Sequence, residues 1–202
     1  MTLKDIRDGN DYTVAKVNGN VWMTQNLRFT GTTLTPADSN VASNTTLTYY
    51  SLDSTETSYA DHCDSTIEYN YACIKDSGDT AKGAWYNFAA ATAGTITGSS
   101  NTNNATYDIC PKGWRLPTRA EQQTIANDSS TYVSTWLPVY GGYYFNGAHS
   151  YESTIGYWWS STTSTSYSST HRYYMYYTSG KLYSGSRQDR RYGVYVRCIK
   201  AS

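Results

Sequence analysis

The chain has 202 residues with 16 basic and 16 acidic side chains, so its formal net charge is zero. That balance excludes a general nucleic-acid or anionic-membrane binder, which needs a surplus of Lys and Arg to displace counterions. Apolar residues of the usual kind are scarce, with 8 Val, 8 Ile, 8 Leu and 3 Phe, and 22 Tyr and 6 Trp stand in their place; without net charge to force disorder, this reads as one folded, polar, aromatic-rich recognition domain.

In chain order, Asp8-Gly9-Asn10-Asp11 is a turn signal. The alternating run Tyr12-Thr13-Val14-Ala15-Lys16-Val17, the dipeptide Asn18-Gly19 and the return Val21-Trp22-Met23 then predict an N-terminal hairpin. Residues 30–80 are Ser/Thr/Asp-rich with little periodicity and read as a long polar insertion. Gly83 to Ala91 places Trp85, Phe88 and Ala89 at helical spacing, so a first helix is expected there, stopped by Gly94. In Thr118-Arg119-Ala120-Glu121 the Thr hydroxyl can accept from the Glu121 amide while the carboxylate reaches back, a capping box opening a second helix to about Asn127. Beyond Thr131 strands and turns are expected. Tyr157 to Thr162 forms one strand and Arg172 to Tyr177 another, with a turn at Thr178-Ser179-Gly180, a return at Leu182-Tyr183, and a closing strand from Val194 to Ile199. Period two puts Tyr173, Met175 and Tyr177 on one face and Arg172, Tyr174 and Tyr176 on the other. In the closing strand Val194, Val196 and Cys198 are expected in the core, with Tyr195 and Arg197 outside.

The four cysteines lack CxxC or Cys/His clustering and fit two disulfides better than a metal site or buried free thiols, although four cysteines allow three pairings. The favoured pairing is Cys63 with Cys73 and Cys110 with Cys198. Asp61-His62-Cys63-Asp64 and Asp76-Ser77-Gly78-Asp79 hold metal-ligand types without a full loop spacing, so turns explain them and no metal or cofactor is expected. No stretch approaches the length of a membrane span. Met1 leads into the charged residues 2–8, which do not read as a signal peptide, so an export signal or anchor is expected outside this chain.

Four segments resemble a known family. They are Asp8-Gly9-Asn10 through Asn18-Gly19-Asn20-Val21-Trp22-Met23-Thr24-Gln25-Asn26-Leu27, the stretch Trp85-Tyr86-Asn87-Phe88-Ala89-Ala90, Cys110-Pro111-Lys112-Gly113-Trp114-Arg115-Leu116-Pro117-Thr118, and Tyr157-Trp158-Trp159-Ser160-Ser161-Thr162 with Gly193-Val194-Tyr195-Val196-Arg197-Cys198-Ile199. In this order they are similar to the Fibrobacter succinogenes major paralogous (FISUMP) domain over nearly all of the chain outside residues 30–80. The resemblance implies an α+β, C-type lectin-like fold of the variant shared with formylglycine-generating enzymes, with two helices, a small twisted antiparallel sheet and long loops. It further implies kinship with proteins that serve as variable ligand binders of diversity-generating retroelements. Residues 151–202, with 10 of the 22 tyrosines and 11 serines, are compatible with such diversification, though these are also simply good binding residues.

Enzymatic readings find little footing. No Gly-x-Ser-x-Gly elbow occurs, and His62, His149 and His171 are the only histidine bases. Formylglycine generation needs paired redox cysteines in the C-terminal half, where Cys198 stands alone after Cys110, and the Glu-Pro-Asn and Trp-Asn-Asp tripeptides of calcium-dependent sugar binding are missing. The expectation is therefore a non-enzymatic, receptor- or adhesin-type ligand-binding domain on the cell surface or outside the cell. Its partner is an unknown protein or glycan on another cell or surface, with no nucleic acid and no membrane insertion by this segment. Tyr174, Tyr176, Tyr183 and Tyr195 are expected to point out of the sheet beside Arg172, Arg187, Asp189 and Arg191, with Tyr167 and His171 completing the surface; rigid aromatics supply area and short polar groups supply adaptable hydrogen bonds. The alternative is a structural or adhesive surface or pilus-associated module without a single ligand.

Overall fold

The computed structural model describes residues 1–43, 46–52, 72–95, 104–163 and 171–201. In chain order its strands are β1 (Thr2–Lys4), β2 (Asp11–Val17), β3 (Asn20–Met23), β4 (Thr33–Leu34), β5 (Ser39–Asn40), β6 (Leu47–Thr48), β7 (Tyr50–Ser51), β8 (Cys73–Asp76), β9 (Ala84–Tyr86), β10 (Asp108–Pro111), β11 (Trp114–Arg115), β12 (Tyr143–Phe145), β13 (Ala148–Ser150), β14 (Gly156–Thr163), β15 (His171–Thr178), β16 (Lys181–Asp189) and β17 (Ile199–Lys200). Among the described residues there are three helices, α1 (Phe88–Ala91), α2 (Arg119–Asn127) and α3 (Ser129–Trp136).

The N-terminal hairpin forms as read. β2 pairs with β3 across Asn18 and Gly19, whose φ angles of 47° and 82° are those of the left-handed turn that an Asn-Gly dipeptide favours. This hairpin is the centre of a five-stranded sheet in the order β1-β2-β3-β17-β11, so both ends of the chain meet in one layer. A second, three-stranded antiparallel sheet, β14-β15-β16, carries the C-terminal tyrosines. Four smaller sheets, β7-β8-β9, β10-β5, β12-β13 and β4-β6, complete the described strands.

Among the described residues, this mostly β arrangement of six small sheets overturns the expected α+β, C-type lectin-like fold with two helices and one small sheet. Three local differences account for the change. The expected first helix shrinks to α1 because Ala84, Trp85 and Tyr86 pair with Asp76, Lys75 and Ile74, and Tyr86 also bridges Val194. Non-local strand pairing outweighs the helical spacing of Trp85 and Phe88. The helix starts only at Phe88, behind the N-cap Asn87, whose side chain accepts from the Ala90 amide. Second, the helix Ser129–Trp136 runs on past Thr131, beyond which strands and turns were expected. Third, the insertion is not merely polar: Leu34, Val41, Tyr49, Leu52 and Ile74 are all buried core residues.

The capping box forms in full, with the Thr118 hydroxyl accepting from the Glu121 amide at 3.2 Å and Glu121 Oε2 accepting from the Thr118 amide at 2.8 Å. Arg115 grips the same carboxylate with both terminal nitrogens.

The scarcity of aliphatics is resolved in the core. Trp22, Trp85, Trp136, Trp158 and Trp159 are fully enclosed, as are Tyr12, Tyr86 and Tyr195. A buried phenol must find a partner for its hydroxyl. Tyr86 donates to the Phe29 carbonyl at 2.8 Å and Tyr49 to that of Ala90 at 3.1 Å, while Tyr12 accepts from the Arg28 amide at 2.9 Å. Each such tyrosine therefore fills core volume and ties two distant segments together. The Cys110–Cys198 disulfide spans 88 residues and anchors the C-terminal segment to β10, as expected. Cys73 is also disulfide-bonded, and Cys63, its expected partner, lies outside the described residues.

Candidate functional site

Cross-strand register decides which tyrosines meet. In the β14-β15-β16 sheet, Tyr157, Tyr176 and Tyr183 lie directly opposite one another across three strands, and Trp159, Tyr174 and Ser186 form the next row. The rings touch in sequence. Tyr183 stacks on Tyr176 at 4.9 Å between centroids, Tyr176 lies 6.3 Å from Tyr157, and Tyr174 packs edge-on to Tyr157 at 5.5 Å. From Tyr157 the contacts continue to Tyr143 at 5.7 Å, to Tyr192 at 4.7 Å, and on to Phe145, stacked on Tyr192 at 4.1 Å. Tyr151 joins at Tyr143. Lys181 sits over Tyr183 at one end and Arg191 over Phe145 at the other.

The result is a continuous aromatic strip whose inner margin, Tyr157, is buried, and whose outer members Tyr183 and Tyr151 are 36% and 56% exposed. Such ring contacts hold the side chains in fixed poses at low entropic cost. Burial raises the Tyr157 hydroxyl far above the ordinary phenol range, helped by the neighbouring tyrosines, and burial raises Tyr174 despite a hydrogen bond with Ser186. These phenols thus remain neutral donors and acceptors.

The opposite face of β15 behaves differently. Met175 is buried, Tyr177 stacks with Tyr140 at 5.2 Å, and Tyr173 lies under two guanidiniums, that of Arg119 at 4.2 Å and that of Arg187 at 5.8 Å. The facing read from period two therefore holds for Tyr173, Met175 and Tyr177 against Tyr174 and Tyr176.

Of the expected surface residues, Tyr176 and Tyr183 join the strip, and Tyr174 is half-buried behind them. Arg187 lies on the other face, and Arg191 is held by Asp189 through two nitrogens at 3.0 Å. His171 is half-buried opposite Asp189. Tyr167 lies outside the described residues. Two expectations are corrected. Arg172 is buried under the sheet, 5.4 Å above the Phe88 ring, where burial together with nearby Arg190 pushes its guanidinium down to about 10.

Tyr195 is fully enclosed: it donates to the Gly141 carbonyl at 3.1 Å and stacks on Trp85 at 5.6 Å. Arg197, also expected outside, is buried too. The reason is that residues 194–198 are covered from both sides, so alternation does not translate into a wet and a dry face.

Sequence reading missed the contribution of Tyr143, Phe145, Tyr151 and Tyr192. A signal existed for part of it. Asn146-Gly147, with φ angles of 51° and 75°, follows Tyr143-Tyr144-Phe145 as Asn18-Gly19 follows β2, and it turns β12 into β13.

Other chemistry in the described residues is self-contained. A cleft of about 300 Å³ is lined by Asn40, Asn104, Asp108, Arg115, Thr118 and Ser161. Its acid, Asp108, is completely buried, which pushes it up to about 7 even though it accepts from the Leu116 and Cys110 amides and from Asn40. Those three donors occupy it as a clamp on the β10–β11 connection. Asp76 and Asp79 accept from the Gly78 and Ala81 amides within their own turn. The His149 ring lies tilted against Trp85 at 4.8 Å and is 3.4 Å from Glu152. The Asp61 to Asp64 cluster and His62 fall outside the described residues. No described helix is long and apolar enough to cross a membrane.

No family model, no curated protein and no solved structure matches the chain.

Proposed function

We propose that the chain is a ligand-binding domain without catalytic activity, and that the aromatic strip from Tyr183 to Phe145 is its contact surface. The observation that carries this reading is the ring-to-ring continuity of the strip up to exposed Tyr183 and Tyr151. Tyrosines needed for the core alone are expected to be enclosed with bonded hydroxyls, as Tyr86 and Tyr195 are. Preorganised, neutral, amphipathic rings with Ser186 and Gln188 nearby have the chemistry of a paratope. The ligand is a protein or glycan on another surface. Display outside the cell is supported by three disulfide-bonded cysteines, Cys73 and the Cys110–Cys198 pair, since such bonds persist in oxidising compartments. The likeness of the quoted motifs to FISUMP domains supports the same location, and a retroelement-diversified C-terminal face is its finer version.

The test is a panel of cell-surface proteins and immobilised glycans probed with the wild type and with the double variant Tyr151→Ala/Tyr183→Ala. A saturable ligand of the wild type, lost by at least tenfold in the folded variant, supports the reading. Ligands that bind both proteins equally would overturn it. The diversification is tested by the neighbouring DNA: a near-identical repeat differing at adenines supports it, and its absence ends that version alone.

A further inference from the structure

On the face of β15 away from the strip lies a guanidinium that the protein holds in place but does not use. Six other arginines spend their charge on the chain: Arg7 on Asp5, Arg115 on Glu121, Arg191 on Asp189, and Arg28, Arg172 and Arg197 on backbone carbonyls. Among the described residues, the side chain of Arg119 has no hydrogen bond and no ion pair, and its Nε is buried without an acceptor. An arginine offers five N–H donors, and a charged group left without acceptors in a half-buried position is costly.

The side chain is nevertheless fixed. Its guanidinium lies 4.2 Å above the Tyr173 ring, and Gly185, at φ +80°, approaches so closely that a Cβ there would stand 3.2 Å from Arg119 Nη2. Its backbone amide is tied to Thr162 Oγ1 at 2.9 Å. Glu121, two residues along the helix from Arg119, is committed to Arg115, and Asp189, two residues along the strand from Arg187, to Arg191. A second guanidinium, Arg187, reaches the same ring.

We propose that Arg119, stacked on Tyr173 and seconded by Arg187, is a binding site for an oxyanion, taking a carboxylate or sulfate group of a ligand on the terminal nitrogens of its guanidinium. Nε faces inward, which leaves the two Nη groups as the fork for a bidentate contact. Stacking removes the rotamer entropy that an exposed arginine loses on binding. The site stands apart from the aromatic strip, because Tyr173 faces the other way from Tyr174 and Tyr176.

The experiment follows the arginine Nε–H resonances of the intact protein by NMR during titration with sodium sulfate and, separately, sodium acetate, with ionic strength held by chloride. A saturable shift of Arg119 in either titration, absent from the already paired Arg115 and Arg191, supports the site. Arg187→Gln is expected to weaken that response by about two- to tenfold, as loss of a neighbouring partly screened charge would. Arg119→Gln is expected to abolish the saturable response of Arg187. The proposal is overturned if Arg119 shows no saturable shift with either anion, or if Arg115 and Arg191 respond as strongly.

Discussion

The Arg197 guanidinium lies 4.1 Å over the Trp136 ring and donates through Nη1 to the backbone carbonyl of that same residue. Nη2 donates to the Leu137 carbonyl at 2.9 Å and Nε to Asn26 Oδ1 at 2.7 Å, which also accepts from the Trp158 indole. A buried cation is thus neutralised by the carbonyl end of α3, by two indole faces and by an amide. Burial lowers its pKa to about 9, so it stays charged at neutral pH. One side chain joins the C-terminal segment, α3 and the loop after β3.

Arg197→Met is therefore expected to destabilise the fold by about 3–5 kcal/mol, because the Trp136 and Leu137 carbonyls lose their donors inside the core. Urea unfolding measures this. A cost below about 1 kcal/mol would show that the carbonyls find other donors.

Asp108 gives a pH dependence of definite sign. Its folded pKa of about 7 lies above the ordinary 3.8, because burial outweighs the three hydrogen bonds it accepts. Between these values the native state holds a proton that the unfolded chain has released. Stability from this group is complete below about pH 4, falls as pH rises towards 7, and levels off above. The urea midpoint of Asp108→Asn should lack that decline, so parallel pH profiles for variant and wild type would contradict the assignment.

The Cys110–Cys198 bridge closes a loop of 88 residues in sequence separation. A loop of that size contributes about 4–5 kcal/mol in the chain-entropy account. The double variant Cys110→Ala/Cys198→Ala should lose about 3–5 kcal/mol in chemical unfolding, with the three-dimensional fold otherwise kept. An unchanged midpoint would mean that the five-stranded sheet holds β11 and β17 together without it.

Within the strip, stability and exposure should separate. Tyr157, buried between Tyr143 and Tyr174, should cost about 3–5 kcal/mol on truncation to Ala, whereas exposed Tyr183 should cost less than about 1 kcal/mol. Thermal unfolding of the two variants distinguishes them. Equal losses would make Tyr183 a structural residue and weaken its proposed role in binding.

Features set by neighbours a few residues apart were legible in the sequence. The Asn18-Gly19 turn and the Thr118–Glu121 capping box need nothing beyond four consecutive residues, and both form as read. The β15–β16 hairpin was legible for the same reason, with positive φ at Ser179 and Gly180. Trp85 was not. Its helical spacing to Phe88 and Ala89 is a real local preference, but Lys75, opposite it in β8, and Val194, bridging the adjacent Tyr86, come from elsewhere in the chain.

The sequence by itself determined that aromatics must replace aliphatics in this protein, that Cys110 and Cys198 are suited to pair, and that Tyr174 and Tyr176 oppose Tyr173 and Met175. Tertiary structure alone decided which tyrosine does which task. Tyr195 and Tyr183 are the same residue type in the same stretch, yet one is closed in between Trp85 and the Gly141 carbonyl and the other ends an open strip. A tyrosine has both an apolar ring and a polar tip, so its own chemistry permits either place. What selects between them is whether a distant segment arrives to cover the ring and accept from the hydroxyl.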